Sequence, residues 1–450
     1  MKIAGLLILG CLGAGTAAAQ SGAAGFFNPL SASRDGIHLY GVSVFGDYFS
    51  GGIPFELPTA GILPTSSTPV VGGGSASLGW SRTRDGSSLA VSYTPSFYVS
   101  SDQSVFNYLN GAISLSGNRK LGQKWTVSAS VSGQVSSLQQ TYFAANAFGL
   151  AASLPTTFDS LAGAMLSGTF TDAQLASALT GAAGHLLPEE TYLYGQRFGS
   201  ASAQAGLSYA PTGRSLFRIS VSAMRTQHLS FGQTTDAGAT LTIPQTTSGS
   251  VSVGWGYSLS PRTHIGIDVS TSRTFSRLLD GYTAQGAFSI GRTMSEHWFV
   301  QGRVGAGVTT YTRQTVATPS NPPYTAGGSI GYKVRSHTLI ASFDRSLADT
   351  YGLGSTSTDS AMAGWSWKAP GSLWSLSANY GYQRLNGGVE QGNDSWRATG
   401  GIARALSQHV FVSLQYAYFK VPASLAALTA LTGAENAVMV GLSWSPSQYR

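Results

Sequence analysis

Six charged residues stand inside runs that otherwise avoid charge: Asp47, Arg218, Asp268, Arg303, Asp344 and Arg397. Their neighbours are apolar or small. Arg218 lies between Phe217 and Ile219, Asp268 between Ile267 and Val269, and Arg303 between Gly302 and Val304. Fixed charges lining a water-filled cavity steer ions and orient polar solutes. A second set, Asp159, Asp172, Glu189 and Glu190, falls in the stretch 138–195, which has no Lys or Arg. Facing Arg218, Arg303 and Arg397 across a lumen, these acids would create a transverse field that orients passing solutes. The plainer alternative is a surface loop of solvated acids. Within that stretch Thr171-Asp-Ala-Gln174 has the pattern of a capping box and predicts a short helix running to Gly181 or Gly184.

Other chemistries fit poorly. Gly327-Gly-Ser-Ile-Gly331 matches a nucleophile-elbow pattern, but that motif needs a strand–turn–helix, and Ser329 falls in the middle of an alternating run. His264, His297, His337 and His409 each follow a short turn. Strands two apart are separated by about 10 Å, so these rings cannot converge on one ion. They read as residues at a membrane interface. There is no phosphate-binding loop, metal-ligand spacing or cofactor motif. The expectation is no enzyme, no cofactor and no metal.

What positions the six charges is a repeated period of two. In Trp125-Thr-Val-Ser-Ala-Ser-Val-Ser-Gly-Gln-Val, the residues Trp125, Val127, Ala129, Val131 and Val135 are apolar, and Thr126, Ser128, Ser130, Ser132 and Gln134 are polar. Such alternation makes a strand with one apolar and one wet face. Runs of about ten residues exceed the usual soluble strand and match a tilted strand crossing a bilayer. Hydrocarbon admits strands only as a closed barrel, because an open edge would leave backbone groups unpaired.

Short turns recur at 84–86, 121–123, 211–213, 260–262, 293–295, 334–336, 370–372 and 406–408. Longer connections are expected at 49–70, 95–107, 138–195, 225–248, 273–281, 312–323, 345–357, 384–394 and 420–435. Short turns on one side and long loops on the other are the asymmetry of outer-membrane barrels. The fold predicted is all-β, an antiparallel up-and-down transmembrane barrel of about eighteen strands, with sixteen as the other even count. The repeat of 35–40 residues after residue 250 would also suit a propeller blade, but a blade needs four short strands where two long ones are read.

The six central charges share the parity of the Ser/Gly face, never that of the Val/Ile/Leu/Trp face. A cation on the lipid side near mid-membrane would cost about 2–4 kcal/mol. Seventeen Trp and Tyr residues, Trp80, Trp125, Trp298 and Trp444 among them, take the outward parity, as the aromatic girdles of a barrel require. The inward parity carries Ser220, Ser222, Gly254, Gly305, Gly307, Gly327, Ser375, Ser377 and Asn379. Such small residues cannot fill a lumen of sixteen to eighteen strands, so the wall predicts a water-filled channel.

Composition agrees. Charged residues are 10% of the chain, and 57 glycines with abundant Ser and Thr replace them. An ordinary soluble domain carries about 25% charge. The net charge of +7 is spread over strand ends and turns, which suits anionic lipid headgroups and not a nucleic-acid groove. Lys2, the apolar stretch 3–15 and Ala17-Ala18-Ala19 read as a signal peptide ending at residue 19. Cys11 lies inside that apolar stretch and makes only a loose lipobox; removal of 1–19 leaves no cysteine. The expected organisation is a signal peptide at 1–19, a periplasmic segment at 20–35 and a barrel at 36–450.

On these features the chain resembles a Gram-negative outer-membrane porin. Val438-Met-Val-Gly-Leu-Ser-Trp444 looks like the C-terminal assembly strand of that family, although Ser445-Pro-Ser-Gln-Tyr-Arg450 follows the aromatic. The resemblance implies an outer-membrane location, lipid as a partner, passive passage of small hydrophilic solutes and a homotrimer. The third loop of porins commonly folds inward, which would make 138–195 the constriction. The hydroxyl-rich face suggests neutral or sugar-like solutes with a slight preference for anions. Two other readings fit the same wall: an export or anchoring barrel for extracellular polysaccharide or another partner complex, and an adhesin platform.

Overall fold

The computed structural model describes residues 35–50, 70–100, 108–137, 197–229, 245–276, 279–314, 324–347, 357–368, 371–386, 394–407, 409–420 and 434–444. They form eighteen strands: β1 (Gly36–Ser50), β2 (Val70–Arg84), β3 (Ser87–Ser100), β4 (Tyr108–Leu121), β5 (Trp125–Ser137), β6 (Arg197–Thr212), β7 (Ser215–His228), β8 (Thr246–Ser260), β9 (Thr263–Ser276), β10 (Leu279–Thr293), β11 (Trp298–Gln314), β12 (Tyr324–Val334), β13 (His337–Ser346), β14 (Ser357–Trp367), β15 (Trp374–Asn386), β16 (Asp394–Ala405), β17 (Val410–Lys420) and β18 (Ala434–Trp444). Every strand pairs antiparallel with its sequence neighbours. β1 also pairs with β18, from Val42 opposite Trp444 to Ser50 opposite Asn436, so the sheet closes and has no edge. β1 begins at Gly36, where the alternation begins.

All eight expected short turns join strands, from β2–β3 through β16–β17. Gly86 and Gly122 sit in two of them with φ of 76° and 77°, a conformation that costs other residues. Between β12 and β13 the same left-handed geometry is taken by Arg335, with φ of 49°.

One of the nine expected long connections is not long. β9 runs to Ser276 and β10 starts at Leu279, leaving two residues where 273–281 was expected to be a loop. The polar residues that suggested a loop are strand residues beyond the apolar band. Arg273 donates from Nε and Nη2 to the carboxylate of Asp280, at 3.1 and 2.9 Å, and clasps the top of the hairpin.

The alternation read from the sequence decides which face is which. Outward valines such as Val253, Val269 and Val304 are about half exposed, at 49%, 55% and 61%. Comparable apolar side chains recur on the same face of strand after strand, far beyond what a soluble monomer exposes. Only hydrocarbon covers such a belt. Trp125, Tyr209, Trp255, Trp298, Tyr332 and Trp365 bound it near the tight turns, and Tyr382, Trp396 and Tyr418 lie toward the long connections. Trp125 stacks on Tyr209 with ring centroids 4.2 Å apart, and Trp298 lies tilted against Tyr332 at 4.3 Å. Among the described residues no helix is long and apolar enough to cross a membrane; strands make the crossing. The molecule is a transmembrane β-barrel of the outer-membrane type.

Candidate functional site: the lumen wall

The inward face is built from facing hydroxyls. Ser43 and Ser75 are 2.7 Å apart, Ser92 and Ser114 2.6 Å, Ser132 and Ser202 2.7 Å. Ser220 with Ser252 and Ser222 with Ser250 repeat the arrangement at 2.6 and 2.7 Å, and Thr283 with Thr309 at 3.2 Å. Each pair sits directly opposite in register on adjoining strands. One hydroxyl donates to the other, which leaves a proton and lone pairs directed at whatever fills the lumen.

Four of the six sequence-predicted charges are drawn into two ion pairs on this wall. Arg218 of β7 donates from Nη2 to Oδ1 of Asp268 on β9 at 3.4 Å. Arg303 of β11 pairs through Nη2 with Oδ1 of Asp344 on β13. In both cases the partners are two strands apart, and a glycine stands between them. Gly254 faces Arg218 on one side and Asp268 on the other. Gly327 stands in the same way between Arg303 and Asp344. The signs therefore alternate from β7 to β13, and Arg303 also lies within electrostatic reach of Asp268. The side chain of Asp268 is 48% exposed and that of Asp344 15%, so the first pair is the more open to the lumen.

Both ion pairs escape a reading of the sequence alone. Arg218 and Arg303, two of the three arginines expected to face acids across the lumen, lie along the wall, engaged with carboxylates of the same arc. Asp47 lies in β1 opposite Val71 and Met439, and Arg397 in β16 opposite Gly381 and Phe419. Nothing beyond their backbone placement is described. Asp159, Asp172, Glu189 and Glu190, with the whole stretch 138–195 and the segments 1–19 and 20–34, lie outside the described residues.

The inner wall is also less uniformly small than the sequence suggests. Phe299, Ile340 and Met362 take the inward parity and are 3%, 3% and 6% exposed. Phe299 lies flat over Gly331, the residue opposite it on β12, and Ile340 faces the other side of that glycine on β13. A glycine opposite a large residue is the signature that could have found them. Ser329 of the elbow-like motif is mid-strand in β12, with no turn or helix beside it.

His264 lies in β9 and His337 in β13. His264 shares a hydrogen bond with Ser258 through Nδ1 at 2.9 Å, while His337 stacks on Trp365 and accepts its indole N–H at 3.2 Å. Among the described residues no group of three His, Cys, Asp or Glu could hold a metal ion.

Over most of its length the chain is similar, at low sequence identity, to several solved structures. Pseudomonas aeruginosa OpdQ is 9% identical, with 91% of this chain and 97% of that chain covered at a TM-score of 0.42. A BenF-like porin from Pseudomonas fluorescens Pf-5 is 8% identical over 92% and 99% of the two chains, with a TM-score of 0.43. Acinetobacter baumannii OccAB4 is 9% identical over 93% and 100%, again at 0.43. No family model matches the sequence, and no curated protein does.

Proposed function

We propose that the protein is a porin-like channel of the outer membrane, through which small hydrophilic solutes diffuse passively. The carrying observation is the closure of eighteen strands around a wall of paired hydroxyls. Eight strands are filled by their own side chains, whereas sixteen to eighteen leave an aqueous lumen. The reading needs no catalytic group. It takes lipid as the outer partner and small polar molecules as the inner one. A homotrimer, which the porin resemblance implies, belongs to the proposal, and cross-linking in the membrane tests it: a single species of 46.7 kDa or less removes it.

Liposome swelling with graded sugars tests the function. Size-limited entry of sugars is the expected result. Vesicles that stay impermeable to all of them would sink the channel reading and leave an anchoring, export or adhesin barrel in its place.

A further inference from the structure

Gly254 and Gly327 have no backbone reason to be glycine. Neither has a positive φ, and both sit inside strands, where glycine weakens the sheet and marks a close approach. What approaches is a charged side chain. A methyl group on Gly254 would lie 2.5 Å from Oδ1 of Asp268 and 3.4 Å from Nη2 of Arg218. On Gly327 it would lie 2.7 Å from Nε of Arg303 and 2.9 Å from Oδ1 of Asp344. Partners two strands apart have Cα atoms about 10 Å from each other. They meet only if both side chains lie flat on the wall, across a strand with nothing projecting at that point.

The unit is used twice. Arg218–Gly254–Asp268 spans β7 to β9, and Arg303–Gly327–Asp344 spans β11 to β13. The same economy of space serves hydroxyls elsewhere on the wall, where Ser128 lies over Gly206 and Ser413 over Gly441. A guanidinium standing off the wall would project into the lumen and attract anions. Laid over glycine against a carboxylate it is half of a closed dipole, whose field falls off far faster with distance than that of a single charge.

We infer that Gly254 and Gly327 are selectivity-determining residues of the lumen. By letting two Arg–Asp pairs close across them, they keep the arc of wall from β7 to β13 free of standing charge and favour uncharged, hydroxyl-bearing solutes over ions of either sign there. This rests on the channel reading above and names its solute class.

The test is planar-bilayer recording in a potassium chloride gradient, with gel mobility before and after boiling as the check on folding. The wild type is expected to open channels that discriminate little between potassium and chloride. Gly254→Ala with Gly327→Ala is expected to fold, conduct less and shift the reversal potential toward chloride, because once the methyl groups force the pairs open the arginines reach further into the lumen than the shorter aspartates. Asp268→Asn with Asp344→Asn strands both guanidiniums and is expected to raise chloride over potassium permeability on the order of five-fold. The exchange Arg218→Asp with Asp268→Arg keeps a pair of opposite charges across Gly254 and should hold the reversal potential near that of the wild type, whereas Asp268→Asn alone shifts it. Folded glycine variants with wild-type conductance and reversal potential overturn the inference. Should they not fold, an Asp268→Asn channel with the wild-type reversal potential overturns it equally. A wild type that opens no channel removes the channel reading itself, which separates the two failures.

Discussion

Trp125 and Tyr209 stack face to face on adjoining strands β5 and β6, with 4.2 Å between ring centroids and an interplanar angle of 26°. They are direct register partners, although the stretch 138–196 separates their strands in sequence. Tyr209 continues to Phe217 on β7 at 6.5 Å, so the rings form a row beside the tight turns. A double-mutant cycle with Trp125→Ala and Tyr209→Ala should give a coupling of about 0.5–1.5 kcal/mol in urea unfolding from lipid vesicles. Zero coupling would mean that the two rings meet lipid independently and form no girdle.

Parity gives the sharpest prediction. Val221 and Ser222 are adjacent in β7, but Val221 faces out at 50% exposure and Ser222 faces in, hydrogen-bonded to Ser250. Val221→Arg should destabilise the folded barrel by about 2–4 kcal/mol, the cost of a cation near mid-membrane on the lipid side. Ser222→Arg places the same charge one residue away in water, where only the hydroxyl pair is lost, at about 1 kcal/mol. Equal costs at the two positions would contradict a lipid face and a wet face. Folding yield into vesicles against urea concentration measures both.

The glycine opposite Phe299 makes a packing prediction. A methyl on Gly331 would fall within the Phe299 ring, whereas at Gly302, on the outward face of β11, it would meet nothing within 4 Å. Gly331→Ala should therefore cost about 1–3 kcal/mol, or drive the ring off the wall. Gly302→Ala should be neutral or stabilise by about 0.4–1 kcal/mol, since alanine has less backbone freedom to lose. Unfolding midpoints of the two variants decide it, and a Gly331→Ala variant as stable as wild type would show that the ring does not rest there.

Much of this barrel can be read from the chain, and the two charged units show where reading stops. Parity puts Arg218, Asp268, Arg303 and Asp344 on one face because a single-residue slip would bury every polar side chain in lipid. The step from Gly254 to Asp268 is also legible, since β8 and β9 are joined by a tight turn that fixes their register. The step from Arg218 to Gly254 is not. It crosses the connection 229–245, whose length leaves the register open. Arg303 to Gly327 crosses 315–323 in the same way. Each ion pair thus depends on one register that the sequence displays and one that only the folded sheet supplies. The hairpin top at Arg273 and Asp280 fails differently: polar residues there belong to strands extending past the membrane, where composition no longer separates strand from loop.

Closure makes the final prediction. Val440 of β18 is paired with Gly46 of β1 on one side and Leu414 of β17 on the other, so its backbone is interior although β18 is the last strand. In an open sheet the last strand is an edge and tolerates proline. In a closed one proline removes a ladder hydrogen bond and collides with its neighbours, at a cost of about 3 kcal/mol or more by analogy with a helix interior. Val440→Pro should therefore abolish the fast-migrating unboiled form on gels, while Val440→Thr, which keeps β-branching and the backbone donor, should retain it. A Val440→Pro protein that still migrates as the folded form would mean that β18 has a free side and that the seam with β1 is not made.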